Sequence, residues 1–210
     1  GIVDLLDQGV VDGRGYLVME LLHGNIGERV DSLGPLSADE VRRTGAQLAD
    51  ALEAAHQASV LHRDVKPSNI LLDSTVERSM LTDFGLARAA DDASLTASGT
   101  LAGTPQYMSP EQARGKSVDA RSDLFSLGCV LYAMSAGRPP FRAESSYAIL
   151  RLITDEEPSS LQEINPDIPD WLCATIRKLM SKQAEDRYAS ADDFAELLEN
   201  CLAHVQQPAT

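Results

Sequence analysis

Basic residues are scarce in this sequence: 18 Lys and Arg stand against 32 Asp and Glu, a formal net charge of −14 over 210 residues. A chain so acidic repels a phosphate backbone, which excludes a basic nucleic-acid-binding role. Cysteine is nearly absent as well. Cys129, Cys173 and Cys201 are odd in number, far apart and without a CxxC pair, so neither a disulfide framework nor a zinc cluster is indicated. The cytoplasm is the expected compartment, with any membrane tether lying outside these residues. No apolar run approaches the roughly 18 residues that a membrane-spanning helix needs, and the N-terminus carries no basic-then-apolar leader. Internal repeats, low-complexity tracts and charge blocks are missing too. What remains is a globular composition, 43% hydrophobic and 24% charged, at a length where folding buries roughly 70–75% of the unfolded surface. The sequence opens on Gly1 and the apolar-rich Ile2-Val3-Asp4-Leu5-Leu6, a start that reads as a cut inside a folded element, and an upstream segment is expected.

Two β-prone runs, Ile2–Gln8 and Tyr16–Leu22, are separated by Gly9 and the turn-rich Asp12-Gly13-Arg14-Gly15, which predicts a hairpin. After His23-Gly24 the pattern turns helical. Ser37-Ala38-Asp39-Glu40 is a capping-box signature, and Val41, Leu48, Leu52 and Ala55 share one face up to His56, so a long helix is expected there. Three short apolar runs follow, Val60-Leu61-His62, Ile70-Leu71-Leu72 and Met80-Leu81-Thr82. Each is too short for a helix and reads as a small strand carrying a loop. Helical periodicity returns over Ser122–Ala136, about Ser145–Thr154, Trp171–Ser181 and Ala191–His204, broken at Gly137-Arg138-Pro139-Pro140, Pro158, Pro166 and Pro169.

Chemistry concentrates in three strings. His62-Arg63-Asp64-Val65-Lys66-Pro67-Ser68-Asn69 is followed by Asp83-Phe84-Gly85 and then by Ser109-Pro110-Glu111. Each string alone is weak. Eight fixed positions in order arise by chance on the order of once in 10^10 starting points at average composition, so their joint presence is specific. They match the catalytic loop, the metal-binding triplet and the APE-type motif of protein kinases.

From Ile2 to about His204 the sequence resembles the bacterial eukaryotic-like (Hanks-type) Ser/Thr protein kinases. Tyr16-Leu17-Val18-Met19-Glu20 is similar to the strand entering the kinase hinge. The likeness continues through Gly103-Thr104-Pro105-Gln106-Tyr107-Met108-Ser109-Pro110-Glu111-Gln112-Ala113, Asp123-Leu124-Phe125-Ser126-Leu127-Gly128 and Glu185-Asp186-Arg187-Tyr188. The family's Gly-rich phosphate-covering loop, strand lysine and partner glutamate have no counterpart in these residues; in the family they lie upstream of the point matching Gly1. The resemblance implies an α+β protein-kinase-like fold, with two N-lobe strands and hinge at residues 1–22, a mostly helical C-lobe at 23–204 and a tail at 205–210.

It also implies roles. ATP and Mg²⁺ are the expected cofactors and Ser/Thr hydroxyls of proteins the expected substrates, since phosphoryl transfer depends on positioning and charge neutralisation. Asp64 would orient the substrate hydroxyl and accept its proton, Lys66 would set its ammonium at the γ-phosphate, and Asn69 and Asp83 would supply hard oxygen ligands for Mg²⁺. Met19 stands at the gatekeeper position, Glu20 and Leu22 offer hinge backbone to an adenine, and Leu71 packs under its ring. Arg63 resembles a receptor for an activation-loop phosphate, with Thr96, Ser98 and Thr100 as candidate phosphorylation sites, Ser94 nearby and Thr104 a substrate-side threonine near Lys66. Dimerisation would serve autophosphorylation. His62 is expected to pack on Phe84, Phe84 to meet Leu5 across the lobes, Asp123 to cap the catalytic loop, and Glu111 to pair with Arg187. The cysteines and His204 are read as structural. The alternatives are a non-catalytic C-lobe that acts as an interaction module, and a poorly folding gene fragment.

Overall fold

The computed structural model describes residues 1–73, 77–84 and 105–206, with side chains described as far as Asn200. Strands β1 (Leu5–Val11) and β2 (Arg14–Met19) form an antiparallel hairpin. Its two-residue turn, Asp12-Gly13, has positive φ at both positions, 51° and 76°, as a type I′ turn requires. The strands therefore lie closer to the turn than the composition suggests: Arg14 and Gly15 belong to β2. Ile2 and Val3 leave the hairpin, and the Val3 N–H donates to the Leu81 carbonyl at 3.0 Å while the Leu81 N–H donates to that of Gly1 at 2.8 Å. Burial decides this, because Val3 is 9% exposed at the core edge whereas Leu6 in β1 is 65% exposed.

A second sheet begins at β3 (Gly24–Asn25). Asn25 caps helix α1 (Ile26–Leu33) through Oδ1, which accepts from the Glu28 N–H at 3.0 Å. Helix α2 (Ala38–Gln57) starts at the expected capping box, with Ser37 and Glu40 each satisfying the other's backbone N–H. The expected strand at Val60-Leu61-His62 does not form. The backbone there is irregular, because the N–H groups of His62 and Arg63 bond a buried carboxylate instead of a ladder. After a 3₁₀ turn at Pro67–Asn69 come β4 (Ile70–Leu72) and β5 (Ser79–Leu81), antiparallel, with β4 central between β3 and β5.

The short helix α3 (Pro110–Ala113) leads to α4 (Ala120–Ala136), buried continuously from Ser122 to Ser135. A helix apolar all round is a core helix. Its hydroxyls are satisfied by its own turns, Ser126 on the Ser122 carbonyl and Ser135 on that of Leu131. Gly128 is required by close packing: a Cβ there would lie 2.7 Å from the Leu179 Cβ. Against α4 pack α6 (Leu161–Ile164) and α7 (Asp170–Leu179), while α5 (Ser146–Asp155) packs on α3 and α8 (Ala191–Gln206) on α2. The core joins Leu48 and Leu52 of α2, Phe125 and Leu131 of α4, Ile176 of α7 and Phe194 of α8. Among the described residues no helix is long and apolar enough to cross a membrane.

Candidate active site

The irregular segment 62–66 is suspended from the first turn of α4. Asp123, 1% exposed, accepts the Arg63 N–H on Oδ1 at 2.7 Å and the His62 N–H on Oδ2 at 2.9 Å, and the same Oδ2 bonds His56 Nε2 at 2.8 Å. His62 is fully buried. Its Nδ1 accepts the Asp64 N–H at 3.3 Å, so the proton sits on Nε2, which donates to the Thr82 carbonyl at 3.0 Å. Its ring lies 4.5 Å from that of Phe84, while Leu5 is half exposed on β1. His62 is thus fully engaged in packing and backbone bonding, with no nitrogen left to move a proton.

Two side chains converge on Asp64. Lys66 Nζ lies 2.6 Å from Asp64 Oδ2, and Asn69 Nδ2 donates to the Asp64 carbonyl at 2.9 Å and to Oδ2 at 3.2 Å. Lys66 and Asp64 remain substantially open to solvent, Asn69 is buried, and Asp83 is exposed. The pairing of β4 with β5 brings the two distant strings together. Ile70 faces Leu81, and one step further the Thr82 N–H donates to the Asn69 carbonyl at 3.0 Å, which sets Asp83 beside the end of the segment 62–69. Arg63 and Asp83 both occupy the left-handed region, at φ 66° and 64°. Neither is glycine, and strain of this kind, about 1–3 kcal/mol each, clusters where geometry is functionally imposed.

The helix α3 is anchored below. Arg187, whose side chain is fully buried, makes a bidentate pair with Glu111 at 2.7 and 2.9 Å and also donates to the Ser181 and Arg121 carbonyls. Burial alone raises the Glu111 carboxyl, but hydrogen bonds from Arg187 and Ser122, with the Arg187 charge, outweigh it and hold the carboxyl at about 2. Gln112 was not foreseen from the sequence. Its Nε2 donates to the Arg63 carbonyl at 2.8 Å while its Oε1 accepts the Ser109 N–H at 2.9 Å. The available signal was the S-x-x-Q capping box at Ser109–Gln112. His56 was likewise read only as the end of a helix face.

A model of the protein kinase domain matches residues 1–207. The chain belongs to the protein kinase family. It is 39% identical over 227 aligned positions to a probable serine/threonine-protein kinase of Corynebacterium efficiens, covering 99% of this chain and 34% of that protein. The serine/threonine-protein kinase PknH of Mycobacterium tuberculosis is 38% identical over 207 positions, covering 98% and 33%. This kinase chain therefore spans about a third of the length of the curated relatives it matches. The crystal structure of Rad53 in complex with AMP-PNP superposes with a TM-score of 0.77 at 25% identity, over 92% of this chain and 49% of the other. The α+β kinase fold is accordingly that of this chain, and none of these relationships supports the non-catalytic alternative.

The residues expected to take the nucleotide lie at the end of β2, just after it, and in β4. Met19 ends β2, and its Sδ accepts the Thr82 hydroxyl at 3.8 Å. Glu20 is held by Asp4 on its backbone and carboxylate, and by Arg78 at 3.3 Å. Leu22 is partly buried, and Leu71 sits half-buried in β4 between Asn25 and Met80. Gly85, Ser94, Thr96, Ser98, Thr100 and Thr104 lie outside the described residues, as do the side chains of Cys201 and His204.

Proposed function

We propose that this chain carries the catalytic machinery of a Ser/Thr protein kinase that transfers the γ-phosphate of ATP to a protein hydroxyl. The observation that carries the reading is the convergence of Lys66 and Asn69 on the Asp64 carboxylate, with Asp83 brought alongside by strand pairing. Asp64 orients the Ser or Thr hydroxyl and accepts its proton as the oxygen attacks the γ-phosphorus and the bond to ADP breaks. Lys66 offsets the charge gathering on the transferred group. The donor set fits Mg²⁺: Asn69 spends its amide N–H on Asp64, its Oδ1 accepts only a long 3.5 Å bond from the Ser68 hydroxyl and would serve as a hard donor, and the exposed Asp83 adds a carboxylate. Mg²⁺, when bound, neutralises phosphate charge.

Residues 1–22 serve as N-lobe strands and hinge, 23–204 as C-lobe and 205–210 as tail. Met19, Glu20, Leu22 and Leu71 take the adenine, Arg63 receives a phosphate on Thr96, Ser98 or Thr100, Thr104 stands on the substrate side, and two copies meet for autophosphorylation. The cytoplasm remains the compartment proposed from the scarcity of cysteine; Cys129 and Cys173 are both buried, with burial pushing the Cys129 thiol far up. The test is radiolabelled γ-phosphate incorporation into a Ser/Thr protein substrate by the full-length protein. Transfer should require Mg²⁺, vanish with EDTA and fall by at least 100-fold, about 3 kcal/mol of transition-state stabilisation, in Asp83→Asn. Transfer indifferent to both would overturn the metal assignment.

A further inference from the structure

Arg63 is the strained residue immediately before Asp64, and its peptide groups are held from opposite sides. Asp123 takes its N–H at 2.7 Å, and Gln112 gives its side-chain amide to the carbonyl at 2.8 Å. That carbonyl belongs to the peptide that carries the Asp64 N–H, so whatever fixes it fixes the plane from which the Asp64 side chain departs. A left-handed non-glycine residue persists only where its surroundings over-determine it. The two clamps do that together, one from α4 and one from α3.

The Gln112 amide is divided between two tasks. Oε1 completes the capping box by accepting from Ser109, itself fully buried, while Nε2 is spent entirely across the chain on Arg63. Glu would serve the cap equally well, because only an acceptor is needed there. Only an amide does both. The same short helix is fixed from below by Glu111 on Arg187, so it is a rigid body wedged between the base of the C-lobe and the catalytic segment. It directly follows the segment 105–109, which in sequence ends the span from Asp83.

We propose that Gln112 is a positioning residue: its amide N–H group locks the Arg63 peptide and thereby sets the Asp64 carboxylate, coupling the placement of α3 to the catalytic geometry. The inference rests on the kinase reading above. A displacement near 1 Å at a reacting group costs up to about 100-fold in rate, so removal of the lock is expected to lower kcat about 10- to 100-fold.

Gln112→Glu separates the two tasks, since it keeps the cap acceptor but has no N–H to give the Arg63 carbonyl. In the full-length protein, Gln112→Glu should lower kcat about 10- to 100-fold with KM for ATP within about twofold. Its Tm should stay close to wild type. Gln112→Ala should match that loss of kcat and in addition lower Tm by about 2–4 °C through the lost cap. Amide hydrogen exchange over residues 62–66 should be faster in both variants. An unchanged kcat in Gln112→Glu, or losses of kcat that follow Tm across the two variants, overturns the proposal. Should the wild type transfer no phosphate, the kinase reading fails, and exchange over 62–66 decides the lock by itself: faster exchange in Gln112→Glu supports it and unchanged exchange overturns it.

Discussion

At the scale of single residues, the proposed chemistry was legible because the groups it calls for cannot be exchanged. A carboxylate, an ammonium and two oxygen donors at Asp64, Lys66, Asn69 and Asp83 stand at fixed spacings within two strings, and strand pairing closes the distance between those strings. His62 as a packing residue, Asp123 as a backbone cap and Glu111 with Arg187 as an ion pair were also readable, and the geometry bears each of them out. Gln112 and His56 were not, because their value lies in a partner 49 and 67 residues away that no local spacing reveals. The Glu111–Arg187 pair makes a pH prediction. The Glu111 carboxyl ordinarily titrates near 4.5 and is held at about 2 in the folded chain. A depressed folded value means that the stabilisation is fully present above about pH 4.5 and is lost as pH falls toward 2. Urea unfolding of wild type and Glu111→Gln should therefore differ most near pH 6 and converge progressively from pH 4.5 downward. A gap that stays constant across that range would contradict the assignment.

Among the elements, long periodic segments were read well. Helix α2 begins at its predicted capping box, and α4 was anticipated to within two residues of Ala120 and at its end, where Gly137 closes it in a left-handed conformation. Short elements were not: α3 and α6 have four residues each, too few for a 3.6-residue period to declare itself. The hairpin register slid because Ile2 and Val3 are as β-prone as their neighbours, and only burial of Val3 shows that they belong beside Leu81. Helix α4 and the β1–β2 hairpin are opposite cases. Every residue of α4 from Ser122 to Ser135 is buried, whereas only Gly9 in the hairpin is even partly so. Amides in a two-stranded ribbon with exposed faces open locally at little cost. Hydrogen exchange should show residues 5–19 exchanging well before 122–135, and comparable protection in the two would mean that the hairpin is held by contacts other than those described.

For the whole molecule, one core built on α4 holds the segment 62–69, whose backbone is clamped by Asp123 and Gln112 and whose side chains meet at Asp64. The surplus of acidic charge, −14 over the chain, opposes any further negative group that lacks a cationic receiver, which is why we propose Arg63 as the receiver of a phosphate on Thr96, Ser98 or Thr100. Composition excluded basic nucleic-acid binding but is silent about substrate. The matches cover about a third of the length of the relatives. We propose above all that Asp64 takes the proton of the Ser or Thr hydroxyl as that oxygen accepts the γ-phosphate directly from ATP. The most direct measurement compares ATP-dependent phosphorylation by the full-length protein with that of Asp64→Asn, with circular dichroism and Tm recorded on both. With Asp64 as the proton acceptor, incorporation on Ser or Thr is Mg²⁺-dependent and Asp64→Asn abolishes it while the fold and Tm persist. Equal incorporation by wild type and a folded Asp64→Asn would contradict that role.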